Sequence, residues 1–134
     1  MKRAAPAPGR RQVGKAILLV ENLGVTHERD GTLAVVHVSG RIDSATSARF
    51  EAQLQDVLAD PPAALILDLG DLAYMSSAGL RVLLVIAKRA RAEARPLILC
   101  NLAPPIREVF DISGFSTIFD IAATRSEAEA RARG

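Results

Sequence analysis

Residues 65–80, LILDLGDLAYMSSAGL, join two patterns that belong to different secondary structures. The first, extended back to residue 63 as AALILDL, is a short continuous apolar run of the kind that fills a strand covered on both faces. The second opens GLRVLLVIAKRARAEA, in which Leu80, Leu83, Leu84 and Ala87 recur at helical spacing. Lys88, Arg89, Arg91 and Arg95 gather toward its end, where cations complement the helix dipole. Between the two lie acidic and glycine residues and then two adjacent serines, Ser76 and Ser77, at a strand-to-helix junction. A buried strand feeding a helix is the unit of a layered α/β fold.

The rest of the chain repeats that unit. Upstream, VTHERDGTLAVVHVSG sets two strand-like runs about Asp30-Gly31, a hairpin signal. In the second run Leu33, Val35 and His37 share one face and Ala34, Val36 and Val38 the other, so both faces are expected to be buried. Gly40 ends that strand. DSATSARFEAQLQDVLAD follows as a helix, with Asp43 or Ser44 as cap and Ala48, Phe50, Leu54, Val57 and Leu58 at helical spacing, stopped by Pro61-Pro62. Downstream, PLILCNL reads as another buried strand and PPIREVFDISG as a short helix, with Pro105 near its start and Gly114 beyond its end. FSTIFDI is expected to be a last strand and TRSEAEARARG a last, exposed helix. The order β-β-α-β-α-β-α-β-α predicts a single α/β domain: a mixed, mostly parallel sheet that starts with an antiparallel hairpin, and about four helices.

A chain of 134 residues, 49% of them hydrophobic, has the size and composition of one folded domain. Aromatic residues make up 4%, with no Trp, which argues against a surface that stacks nucleic-acid bases. Charge is uneven. Residues 1–23 hold Lys2, Arg3, Arg10, Arg11 and Lys15 against Glu21, a net of +4, and the remaining 12 cations and 14 carboxylates give −2. The division expected is therefore a flexible basic tail over residues 1–23 and a domain over residues 24–134. Within the junction, AILLVENLG reads equally as an added strand or as cover for a sheet edge. The tail superficially resembles an export signal, but its apolar part, residues 16–20, is shorter than the ~7–15 residues such a signal needs. No apolar run approaches the ~18–20 residues of a membrane span. One cysteine, Cys100, sits in an apolar run as a small core residue would. A soluble, cytoplasmic protein is expected.

Catalytic sets fare poorly. A nucleophile elbow centred on Ser77 would need glycine where Met75 stands, and both histidines, His27 and His37, precede the serines, against hydrolase order. His37, within VVHVS, reads as a packed or edge residue. Two histidines and a distant cysteine make no zinc set. Asp43, Asp68 and Asp71 are candidates to gather around a divalent cation at the strand ends, weighed against service as caps and turn formers. The phosphate-cradling glycine motifs are absent. The serines remain. One serine suffices as a helix cap; a second, followed by Ala78 and Gly79, leaves an open patch at a helix start, where unpaired N–H groups and the dipole tolerate an added phosphate, a reading weighed against plain capping, the commoner use of serine there.

The same residues carry a family resemblance. LILDLGDLAYMSSAGLRVLL closely resembles the core segment of STAS-domain proteins, the anti-sigma-factor antagonists of bacterial partner switching. LAVVHVSGRIDSATSARFEAQL resembles the family's second strand, its Gly-x-Ile/Leu-Asp turn and first helix, and PLILCNLAPPIREVFDISGFSTIFDI its later strand, helix and final strand. The likeness runs from about residue 25 to the end. It implies a regulatory protein rather than an enzyme, with no cofactor or metal and no direct contact with nucleic acid. The unphosphorylated form would bind an anti-sigma factor that is also a serine kinase, the kinase would then phosphorylate it, and a serine phosphatase would reset it. Matched residue by residue, Ser77 takes the phosphoacceptor position and Ser76 stands where many members have aspartate, leaving Ser76 as a second acceptor or as a cap. Asp43 matches the family's acidic turn residue, which lies near the same surface, and it is equally the natural cap of the first helix. Asp43, Ser76, Ser77 and Gly79 are the expected docking face, with Tyr74 and Met75 either adding apolar contact or lying in the core. The alternative from another class is a STAS-like structural or regulatory subunit of a membrane-associated transport assembly, in which the serine only caps.

Overall fold

The structure, a computed structural model, describes residues 22–134. The tail expected over residues 1–23 therefore lies almost wholly outside the described residues, as does most of AILLVENLG. Strands β1 (Leu23–Asp30) and β2 (Leu33–Ile42) form the antiparallel hairpin, pairing from Asp30 opposite Leu33 to Leu23 opposite Gly40. Gly31 supplies the left-handed backbone of its turn, at φ +64°. There follow α1 (Ser47–Ala59), β3 (Ala64–Met75), α2 (Ser77–Ala92), β4 (Leu97–Cys100), α3 (Pro104–Ser113), β5 (Asp120–Ala122) and α4 (Arg125–Arg133). The sheet runs β1-β2-β3-β4-β5, with β2 to β5 mutually parallel.

Each crossover steps to the next strand in the same direction, and such connections keep one hand, so α1, α2 and α3 share one face of the sheet. Phe50, Leu54, Val57 and Leu58 of α1, Leu80, Val82, Leu83 and Ile86 of α2, and Ile106 and Phe110 of α3 close over Ala34, Val36, Val38, Leu65, Leu67 and Leu99. Phe50 and Phe110 are fully buried, and truncating either to Ala would destabilise the fold by about 3–5 kcal/mol. Arg89 ties α2 to the end of α1, donating to Gln55 and to the Leu58 carbonyl, so this cation does more than complement its own helix dipole.

Four local expectations change. Strand β3 does not stop near Leu69 but runs on to Met75. Pairing with β2 shifts between His37 and Ser39 and again between Gly40 and Arg41, each time by an extra residue in β3. Those two bulges turn the spacing of three between Leu69, Leu72 and Met75 into one buried face, where a regular strand would alternate. Ala48 is exposed, off the buried face of α1. FSTIFDI is not one strand: Gly114 ends α3 at φ +82°, Phe115–Thr117 make one 3-10 turn, and only Asp120–Ala122 pair with the sheet. The reason is aromatic packing, since Phe119 sits edge-on to Phe110, ring centroids 5.8 Å apart, and contacts Phe115 at 5.9 Å. Finally, α4 is no free surface helix. Ala128 is fully buried and, with Ala132, covers Leu33, Val35, Ala64, Ile66, Ile98 and Cys100 on the sheet's other face.

Candidate functional site

Among the described residues β3 is paired with β2 alone beyond Cys100, so the carboxyl ends of β2 and β3 project past β4 and β5, with β1 flanking β2 as far as Gly40, and lead into α1 and α2. All four expected docking residues lie there. Asp43 follows β2. Its Oδ1 accepts from the N–H groups of Ala45 (2.9 Å) and Thr46 (3.1 Å). Thr46 Oγ1 in turn accepts the Asp43 N–H at 3.0 Å and donates to the Arg41 carbonyl at 3.0 Å. Asp43 thus shapes the turn before α1, whose N-cap residue is Thr46 rather than Asp43 or Ser44. The second Asp43 oxygen stays outside this turn and faces Arg41 Nε at 3.9 Å.

The two serines are placed differently. Ser76 is the N-cap residue of α2, with extended backbone; its N–H donates to the Ile42 carbonyl at 2.8 Å and its carbonyl accepts from Leu80 N–H at 3.1 Å. Its hydroxyl forms no cap bond: Oγ is buried, with no hydrogen-bond partner among the described residues. Ser77 is the first helical residue and is exposed. The first turn of α2 contains no carboxylate, so the helix start offers partial positive charge without a side chain to neutralise it. A dianion on Ser77 fits there electrostatically, whereas Ser76 Oγ is shielded from any reagent that does not open the junction.

Gly79 is buried, and its role is clearance. A Cβ there would lie 2.7 Å from Ile42 Cγ2 and 2.9 Å from Met75 Cγ, so only glycine lets α2 settle this close to the strand ends. Met75 belongs to the core at 2% exposure, while Tyr74, its neighbour, is 40% exposed. The guanidinium of Arg41, the cross-strand partner of Tyr74, lies 4.3 Å from the ring centroid.

The three aspartates do not gather. Asp68 is opposite His37 in the parallel register and sits among polar neighbours, while Asp71 is exposed and Asp43 holds its turn. His37 Nδ1 is 3.3 Å from Asp68 Oδ2 and Nε2 is 3.4 Å from Glu28 Oε1. Asp68 Oδ1 also accepts from Gly70 N–H (3.0 Å) and Asn101 Nδ2 (3.1 Å). Glu28 Oε2 accepts from Arg125 of α4 at 2.8 Å, and Arg125 Nε reaches Glu129 at 2.7 Å. The imidazole between two carboxylates is pushed above its usual 6.5, chiefly by Asp68, with burial opposing and Glu28 adding. His37 in turn draws Asp68 down to about 2. Glu28 is lowered chiefly by Arg125. The network pins β1, the sheet and α4 together; nothing in the sequence announced it, because the His37–Asp68 contact is set by strand register. Cys100 is buried beside it, its thiol pushed up to about 11 by burial and then by the Asp68 charge, which makes it a poor nucleophile. Among the described residues neither histidine hydrogen-bonds a serine, no three metal-ligating side chains converge, and no helix is long and apolar enough to cross a membrane.

A family model described as the STAS domain matches residues 25–128. BtrV of Bordetella bronchiseptica, provisionally designated an anti-sigma factor antagonist, is 45% identical over 101 residues, 75% of this chain and 86% of that protein. The crystal structure of an anti-sigma factor antagonist from Mycobacterium paratuberculosis superposes with a TM-score of 0.78 at 27% identity, covering 84% of this chain and 95% of that one. The Bacillus cell fate determinant SpoIIAA in its phosphorylated form does so with a TM-score of 0.61 at 25% identity, covering 81% and 98%. On that match, and on a sheet that opens with an antiparallel hairpin and continues through parallel crossovers, the chain belongs to the STAS domain family.

Proposed function

We propose that this protein is an anti-sigma factor antagonist that works by partner switching. Its unphosphorylated form binds an anti-sigma factor that is also a serine kinase and so releases that factor's target; phosphorylation of Ser77 by the same kinase ends the complex, and a serine phosphatase restores it. The chain is substrate and switch, acting in the cytoplasm with no catalytic group, cofactor or nucleic-acid contact of its own. Residues 24–134 are the working domain and residues 1–23 a basic tail.

The observation that carries this reading is the contrast between the serines: Ser77 exposed at an uncapped, carboxylate-free helix start, Ser76 shielded beside it. Phosphate adds about −1.5 to −2 charges. The first turn of α2 accommodates that charge without unfolding, while a partner seated over Asp43, Ser76, Ser77 and the Gly79 turn meets repulsion and lost fit. The family relatives, and the phosphorylated state of SpoIIAA in particular, support the same chemistry.

Peptide mapping by mass of the protein isolated from its native cells, in growth and under stress, tests the proposal. Phosphate on Ser77 whose occupancy changes with condition is expected, and a Ser77→Ala chain should carry none. Phosphate elsewhere at equal level in that variant, or a constant complex with Ser77 unmodified throughout, would make the junction a structural joint and the chain a fixed subunit.

A further inference from the structure

Of the five aromatic rings in this chain, Phe50, Phe110 and Phe119 are buried and Phe115 is partly so; Tyr74 alone is exposed. It stands two residues before Ser76 on β3, and Arg41, two residues before Asp43 on β2, lies across its ring. The pair therefore borders the docking face on the projecting β2–β3 ends. The cation–π contact holds the Arg41 guanidinium over the ring. Among the described residues its side chain makes no hydrogen bond, and the nearest carboxylate oxygen, on Asp43, is 3.9 Å away, beyond hydrogen-bond reach. Arg41 is thus ion-paired with Asp43 but hydrogen-bonded to no described side chain, and its planar fork of N–H donors can still take a carboxylate. Tyr and Arg are among the residue types enriched in the contacts that carry most protein–protein binding energy.

We infer that Arg41 and Tyr74 form the specificity-determining contact of this docking face, and that the partner meets them with a carboxylate on the guanidinium and an apolar side chain on the open part of the ring. This inference rests on the proposed switching function and identifies what the partner must present there. Arg41 is a binding residue, with no part in phosphate transfer. The contact also sorts partners: a surface presenting a cation at that position is repelled by Arg41.

The test uses the full-length chain and the kinase that phosphorylates Ser77, purified through its affinity for the Ser77→Ala chain. Arg41→Gln should raise KM for the chain at least tenfold with kcat unchanged, and Tyr74→Ala should do the same. The double variant should lose less than the product of the two, because each residue acts through the other. Arg41→Lys should restore little, since an ammonium neither stacks nor forks, and Tyr74→Phe should bind like the unaltered chain. Loss of a carboxylate contact should also flatten the salt dependence of Kd in Arg41→Gln. Near-unaltered KM in both single variants, or an unchanged salt slope, overturns the inference while leaving the switch standing. Failure to recover any Ser77 kinase overturns the proposed function and this inference with it. Unchanged thermal melting of the conservative variants Arg41→Lys and Tyr74→Phe separates lost contact from lost fold.

Discussion

Helices α2 and α4 both begin where a strand of the same sheet ends, and both turn their first unpaired N–H groups toward what lies ahead. At α4 the chain caps one of them itself and ties the helix to the residue before its cap. Thr124 Oγ1 accepts from Glu127 N–H at 3.1 Å, and Glu127 Oε1 reaches back to the N–H of Ala123 at 3.0 Å. At α2 neither device is present: Ser76 holds the cap position without a cap bond, and no carboxylate occupies the first turn. Packing positions this end instead, through Gly79 against Ile42 and Met75 and through the backbone bond from Ser76 to Ile42. A helix start that closes on its own side chains is finished as structure. One held by packing behind it leaves its front free for an added group.

Each end should therefore break under a different kind of change. The largest effect is expected at α2 from Gly79→Ala. The new methyl must displace buried side chains, so overpacking should destabilise the fold by about 1–3 kcal/mol in urea unfolding. The same replacement at an exposed helical glycine would stabilise, so a neutral or stabilised variant would remove packing as the device that seats α2.

The next effect separates the two caps directly. Thr124→Ala deletes a working cap and should reduce stability by about 1 kcal/mol. Ser76→Ala deletes a hydroxyl with no partner and should leave stability within about 0.5 kcal/mol, or raise it. Equal losses at the two positions would mean that Ser76 caps α2 in solution.

The smallest effect is a pH dependence confined to the α4 side. His37 is raised, chiefly by Asp68, so its contribution is whole below the unfolded value of 6.5 and fades as pH rises through the folded value. Asp68 is lowered, so its contribution is whole above 3.8 and is lost as pH falls through about 2. Glu28, lowered chiefly by Arg125, is fully engaged above 4.5. The network should stabilise most between pH 4.5 and 6.5. His37 is more than a third exposed, which keeps the effect below that of the Thr124 cap. Stability followed from pH 6 to 9 should decline more in the unaltered chain than in His37→Asn, and a histidine signal that titrates below 6.5 would contradict the pairing.

Legibility in the sequence divides along physical lines. The alternation of buried strands with helices, the Asp30-Gly31 hairpin and the Pro and Gly punctuation are local, so periodicity and turn chemistry were enough to reveal them. The serine pair was equally plain as a pattern, because two small hydroxyls at a strand-to-helix junction are a local feature and the family segment around them is specific. What escaped depends on neighbours distant in sequence. The spacing of Leu69, Leu72 and Met75 conceals a long strand, since only pairing with β2 introduces the bulges that keep all three inside. FSTIFDI has the composition of a strand, yet Phe119 turns inward to Phe110. TRSEAEARARG looks solvated from end to end, and only the small side chains of Ala128 and Ala132 betray that it lies flat on the sheet.

The order and type of the elements, the excess of positive charge in residues 1–23 and the serines at the junction are legible from the residues alone, because they follow from composition, propensity and periodicity within a few residues. Tertiary structure alone decided which serine faces solvent, that Gly79 serves clearance, that Arg41 lies over Tyr74, and that His37 is held between two carboxylates. Each of these depends on strand register and interlocking side chains, and register brings together residues dozens of positions apart that no local pattern connects.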